Sequence, residues 1–205
     1  MKIWRFIMKN ILKFGLTLMI YALVAGLLLG WIYTKTKPKI DEQARLEKEL
    51  AIKAVMPADA VAFKETELSD GTEVVIGFAD EAMTQVAGYA AIAVGGGFSS
   101  NIMTMVGITL DWKINTIKVI SQSETPGLGT HTQDNWFQEQ FAGRSQDELV
   151  VNKDGGTVKA ITGATISTRA VTNAIKELLN KIQSMRNELP QPSQPPDTEL
   201  GQPMS

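Results

Sequence analysis

The sequence predicts an α+β domain set behind one N-terminal transmembrane helix, and three observations lead there. An uncharged stretch, Phe14 to Thr34, lies near the start. Short β-branched runs separated by turn residues follow between residues 61 and 121. A segment with helical periodicity, Arg169 to Met185, comes late in the chain. Together they read as a mainly antiparallel sheet with helices packed against it.

The apolar stretch is 21 residues long and bracketed by Lys13 and Lys35. At 1.5 Å per residue it extends about 31 Å, the thickness of a bilayer's hydrocarbon core. Tyr21, Trp31 and Tyr33 add aromatics suited to the interface. The run is too long for a cleaved signal peptide, and no small-residue cleavage site follows it. Net charge is −2, yet the first 13 residues carry +4 through Lys2, Arg5, Lys9 and Lys13, leaving −6 on the rest. Basic residues stay on the cytoplasmic side of a span. The expected layout is therefore a cytoplasmic N-terminus (1–13), a transmembrane helix (14–34), a stalk or first packed helix (35–60), an extracytoplasmic domain (61–186) and a polar, proline-rich, disordered tail (187–205). The membrane in question is the cell inner (cytoplasmic) membrane.

Within 35–60, Asp41 to Met56 reads as a helix, with Asp41 as N-cap and Pro57 as its stop. Val61 to Phe63, Glu73 to Ala79 and Val86 to Val94 read as strands, with Asp70-Gly71 as a turn. Gly95-Gly96-Gly97 reads as a flexible turn; it lacks the lysine and hydroxyl of a Walker loop. Met103 to Leu110 and Lys113 to Ser121 form another strand pair around Asp111. Asp134 to Phe141 reads as a helix with Trp136, Phe137 and Phe141 on its apolar side. Val150-Val151 and Val158 to Ile161 read as short strands. On the last helix Val171, Ala174, Ile175, Leu178, Leu179 and Ile182 share one face.

The composition excludes several chemistries. With no cysteine there is no thiolate-bound iron–sulfur cluster, thiol nucleophile or disulfide. The charge balance gives no reason to expect nucleic acid. His131 is the only histidine, with no zinc-type spacing around it, and is expected to be a loop residue; no metal site is predicted. Two stretches remain with the shape of a site. Glu124-Thr125-Pro126-Gly127-Leu128-Gly129 is a strongly shaped loop, because proline fixes φ and glycine permits positive φ. Thr162-Gly163-Ala164-Thr165-Ile166-Ser167-Thr168 gathers four hydroxyls at a helix start, where unpaired N–H groups and the helix dipole favour a phosphate. Read locally, those hydroxyls are helix caps.

The two motifs stand in a defined order: SETPGLGT at 123–130, then ITGATIST at 161–168, with Trp136-Phe137 and Phe141 between and RAVTNAIKELL following. This combination, behind a single anchor, resembles the FMN-binding domain found in the G subunit of the Rnf electron-transport complex. The related C subunit of the sodium-pumping NADH:quinone reductase shares that domain. The resemblance runs from about residue 88 to residue 179. It implies FMN joined covalently through its phosphate to the hydroxyl of Thr165, with Thr162, Gly163 and Ala164 leading into the attachment point. It implies backbone contacts to the flavin from Glu124, Gly127 and Gly129, direct contacts from Thr125 and Leu128, and plain capping by Ser167 and Thr168. It further implies no catalytic residue, an electron-carrier role in an ion-translocating oxidoreductase, other membrane subunits as partners and a flavin transferase during maturation. Lys159 stands where the family pattern has an aspartate, and a basic side chain there suits a nearby phosphate. The alternatives are the quinone-reductase subunit itself and a flavin-free extracytoplasmic scaffold module.

Overall fold

A computed structural model describes residues 2–190, apart from the side chains of residues 2, 3 and 5–10. The expected disorder of 191–205 lies outside the described residues. The chain divides into two units, 1–47 and 48–205.

The first unit is helix. α1 runs from Lys2 to Val55, and among the described residues it is the one helix long and apolar enough to cross a membrane, with none of its apolar stretch buried. The predicted break at Asp41 does not occur. Pro38 lies inside the helix, giving up one intrahelical bond. Asp41 pairs with Lys37 one turn earlier (2.6 Å) and is not an N-cap.

The second unit is α+β. Five strands, β1 (Ala62–Glu67), β2 (Glu73–Phe78), β3 (Val86–Gly96), β4 (Asn101–Ile108) and β5 (Ile114–Ser121), form one sheet in sequence order. Every pairing is antiparallel. A short helical turn, α2 (Asn135–Gln138), and the long helix α3 (Thr165–Ser184) follow. The predicted apolar face of α3 is the buried one: Val171, Ala174, Ile175, Leu178, Leu179 and Ile182 all lie in the main core, with Tyr89, Ala91 and Ala93 of β3 and Phe137 and Phe141.

The opposite sheet face is covered as well. Val75, Ala90 and Met105 pack with Ala51, Ile52, Val55 and Met56 at the end of α1. This is why β2 reads as a continuous apolar run: both of its faces are buried. Ala51, Ile52, Val55 and Met56 are thus part of this unit's core, ahead of the boundary expected at 61.

Three local expectations change. Gly95 and Gly96 are not a flexible turn; they finish β3, paired with Ile102 and Asn101. Gly95 is there for close approach, since a Cβ on it would lie 2.2 Å from the carbonyl oxygen of Ala170 in α3. The segments near 150 and 160 make only one parallel bridge, Val151 to Val158, because a 3-10 turn and the left-handed Gly155 between them leave length for no more. The chain also stays ordered past residue 186. Leu189 is buried in the core, Tyr89 Oη donates to the Pro190 carbonyl (2.7 Å), and Ser69 donates its N–H and hydroxyl to Glu188 (2.8 and 2.7 Å). Residues 187–190 are therefore held to the sheet by one apolar anchor and specific polar contacts, which their polar composition conceals.

Candidate functional site

Two four-residue turns build the site. In the first, Leu128 N–H donates to Thr125 C=O (3.1 Å), with Pro126 second and Gly127 third at φ +75°. This is the residue pattern of a type II turn. In the second, Ala164 N–H donates to Ile161 C=O (3.0 Å), with Gly163 third at φ +78°. The turns meet back to back: a Cβ on Gly163 would lie 2.9 Å from Leu128 Cδ2. Both motifs are thus one construction, folded from segments more than thirty residues apart.

The second turn delivers the chain into α3. Thr168 N–H is the first to bond inside the helix, to Ala164 C=O (3.0 Å). The N–H groups of Thr165, Ile166 and Ser167 are then the orphan donors of the first turn. The hydroxyls do not cap it, contrary to the local reading. Thr168 Oγ1 donates to Ala164 C=O and accepts from Ile161 N–H, both buried bonds. Ser167 Oγ donates to Glu124 Oε2 (2.6 Å). Thr172 Oγ1 donates to Thr168 C=O (2.8 Å). Thr165, half-buried, makes no side-chain hydrogen bond among the described residues.

A cavity of about 320 Å³ opens at this junction, at the small end of the range that takes cofactors. The first loop lines it with Glu124, Thr125, Leu128 and Gly129; the second turn and α3 line it with Gly163, Ala164, Thr165, Ile166 and Ser167; the β3–β4 turn adds Phe98. Two sequence candidates fall elsewhere. Gly127 and Thr162 line a second, more open cavity of about 470 Å³, together with His131, Asp134, Trp136 and Lys159. Lys159 is not on the wall of the first cavity, so the expected basic neighbour for a phosphate at Thr165 is not what the fold provides. His131 is a loop residue whose Nδ1 lies 2.8 Å from Asp134 Oδ2; that oxygen also accepts from Trp136 Nε1 (3.1 Å).

Sequence reasoning does not single out Phe98 or Ile166. Both are exposed, 71% and 51%, and with Leu128 they give the cavity an apolar rim. The available signal is the lone aromatic after three glycines, at a hairpin tip where burial does not account for it.

Glu124 is the charged group of this cavity, and only 5% exposed. Burial opposes its charge. The Ser167 hydroxyl and the N–H groups of Ser99, Phe98 and Ser100 outweigh that penalty and hold the carboxyl at about 2 against an ordinary 4.5. The folded state keeps this proton off more readily than the unfolded chain does. Glu124 therefore contributes stability in full above pH 4.5, and that contribution is lost as pH falls from 4.5 toward 2. The size is on the order of 3 kcal/mol. In acid titrations of the purified protein followed by circular dichroism, we expect the stability difference between wild type and Glu124→Gln to close across this window.

Two family models match the chain. The RnfG N-terminal region family model matches residues 1–55, and the FMN-binding domain family model matches residues 97–180. The G subunit of the ion-translocating oxidoreductase complex of Methanosarcina acetivorans is 33% identical over 182 residues, covering 86% of this chain and 96% of the relative. The G subunit of the Na(+)-translocating ferredoxin:NAD(+) oxidoreductase complex of Acetobacterium woodii is 29% identical, covering 86% and 94%. The proton-translocating counterpart from Clostridium ljungdahlii is 28% identical, covering 80% and 88%. Among solved structures, the C subunit of the Na(+)-translocating NADH-quinone reductase from Parabacteroides distasonis shares the fold, with a TM-score of 0.50 at 18% identity over 68% of this chain and 82% of that one. On the strength of the Methanosarcina match, which spans nearly the whole relative, the chain belongs to the family of G subunits of ion-translocating oxidoreductase complexes.

Proposed function

We propose that this chain is the membrane-anchored flavoprotein subunit that carries electrons within an ion-translocating ferredoxin:NAD oxidoreductase, with FMN held as a phosphoester on Thr165. One observation carries the choice of residue. Of the hydroxyls gathered at 162–168, Thr165 alone lines the first cavity while its oxygen is uncommitted; Ser167 and Thr168 are spent on buried bonds, and Thr162 lines the other cavity.

The surroundings suit a phosphoester there. Thr165 is the first residue of α3, so a phosphate on its oxygen would be held by the three orphan N–H groups and favoured by the positive end of the helix dipole. Ala164 and Gly163 keep bulk away from the attachment oxygen. The nearby negative charge of Glu124 is already taken up by amide and hydroxyl donors. Phe98, Leu128 and Ile166 offer apolar contact to a flat ring, and the cavity is open enough to leave part of it accessible. Bound FMN supplies the redox chemistry; the protein supplies the tether, the orientation and partial exclusion of water.

The same reading places other subunits of the complex and a flavin transferase as partners. It also places residues 48–205 on the extracytoplasmic side, because the +4 N-terminal segment favours the cytoplasmic face. Outside the cell interior free FMN is scarce, and a covalent tether prevents its loss. The test is the intact mass of full-length protein made with its transferase. A mass increase of one FMN less one water, mapped to the peptide containing Thr165, is expected; an unmodified mass overturns the reading.

A further inference from the structure

We propose that Glu124 is a positioning residue: it fixes the cavity walls around the group carried on Thr165, and this rests on the reading of Thr165 above. Its carboxylate ties together three separate segments. Oε2 accepts from Phe98 N–H (3.1 Å), and Oε1 accepts from Ser99 N–H (2.9 Å) and Ser100 N–H (3.0 Å). These are successive amides of the β3–β4 turn, which carries Phe98. Oε2 also accepts from Ser167 Oγ (2.6 Å), in the first turn of α3 and two residues after Thr165. Glu124 itself opens the Thr125–Leu128 turn. One buried anion therefore sets the spacing of the hairpin tip, the loop and the helix start.

The site is built to admit this carboxylate. A Cβ on Gly97 would lie 2.5 Å from Oε1, and a Cβ on Gly129 would lie 2.6 Å from Oε2. Two glycines from different segments thus leave the space the carboxylate fills. Three convergent N–H groups form a nest for an anion, and charge-assisted bonds of this kind are about twice as strong as neutral ones. A neutral amide at 124 presents one oxygen instead of two, and its NH₂ confronts donors. With its oxygen in the Oε2 place its NH₂ faces the Ser99 and Ser100 N–H groups, and turned over it faces the Phe98 N–H, so at least one amide of the hairpin tip is released either way.

The consequence is motional. With the three segments locked, the rim residues Phe98 and Ile166 keep a fixed relation to Thr165. Without the lock, Phe98 moves with an exposed turn, and the first turn of α3 loses its tie to the loop.

The experiment compares wild type, Glu124→Gln and Ser167→Ala as full-length proteins made with the transferase. It reads flavin visible circular dichroism, flavin fluorescence anisotropy and amide exchange at 98–100. In Glu124→Gln we expect exchange of the 98–100 amides about tenfold faster, with loss of visible circular dichroism and lower anisotropy. Ser167→Ala cuts only the strut to α3; we expect the same optical loss with exchange at 98–100 unchanged. It also carries the test if Glu124→Gln fails to accumulate. Flavin signals equal to wild type in Ser167→Ala, or in a folded Glu124→Gln, overturn the proposal even if thermal stability falls. A wild type without flavin overturns the Thr165 reading instead.

Discussion

Thr165→Ala is expected to abolish the covalent flavin while the domain stays folded. The physical case for the first half is that the hydroxyls beside it at the start of α3 are not free to substitute. Ser167 and Thr168 are both almost fully buried, and their oxygens are engaged. Moving either into the cavity breaks a buried bond, and leaving such a donor or acceptor unmade costs about 1–3 kcal/mol. The case for the second half is that the Thr165 side chain takes no part in the hydrogen bonds of the helix start, and alanine has higher helix propensity than threonine. The net change in stability is expected within about 0.5 kcal/mol of zero. Thr165→Ser keeps an oxygen in place and is expected to retain attachment. Denaturing gels read for flavin fluorescence, beside thermal melts of the same samples, check both halves together. A flavin band in Thr165→Ala moves the attachment point elsewhere.

The second large effect is on stability and lies away from the cavity. Phe137 is fully buried, packs edge-to-face on Phe141 with centroids 5.4 Å apart, and belongs to the main core with α3. Phe137→Ala removes the ring and leaves a void that a sheet-and-helix core closes only in part. The expected loss is about 3–5 kcal/mol, a large share of the roughly 5–15 kcal/mol available to a domain. For a unit of this size that lowers the melting temperature by roughly 10–20 °C. Trp136, its neighbour, is 44% exposed, and Trp136→Ala is expected to shift the melt by much less. Differential scanning fluorimetry on the three proteins decides it; equal shifts for the two variants contradict the core assignment.

What the sequence made legible followed from period. The α3 face repeats at helical spacing, and every residue on it is buried. Five apolar, β-branched runs became five strands with ends shifted by a few residues, since the turns between them carry glycine or aspartate. The two shaped loops were legible because proline and glycine restrict the backbone locally. What escaped depended on distant partners. Ser167 looks like a cap because a hydroxyl near a helix start usually is one; its actual partner, Glu124, is 43 residues away. Asp41 has the type of an N-cap, and only the continuing helix shows that it does not act as one. Gly95 looks like a hinge, yet the need for it comes from the Ala170 carbonyl pressed against it. Phe98 carries no periodic signal at all. Lys159 stands two residues before a turn, and nothing local tells which side of the Leu128–Gly163 contact its side chain takes.

The burial of Ala51, Ile52, Val55 and Met56 against Val75, Ala90 and Met105 decides where the chain can be severed. A soluble fragment begun at residue 61, where the strands start, strips one side of the sheet and leaves a sticky plane that invites aggregation. Begun at Lys48, it retains its own lid. The last two turns of the long apolar helix thus belong, by allegiance, to the sheet they cover.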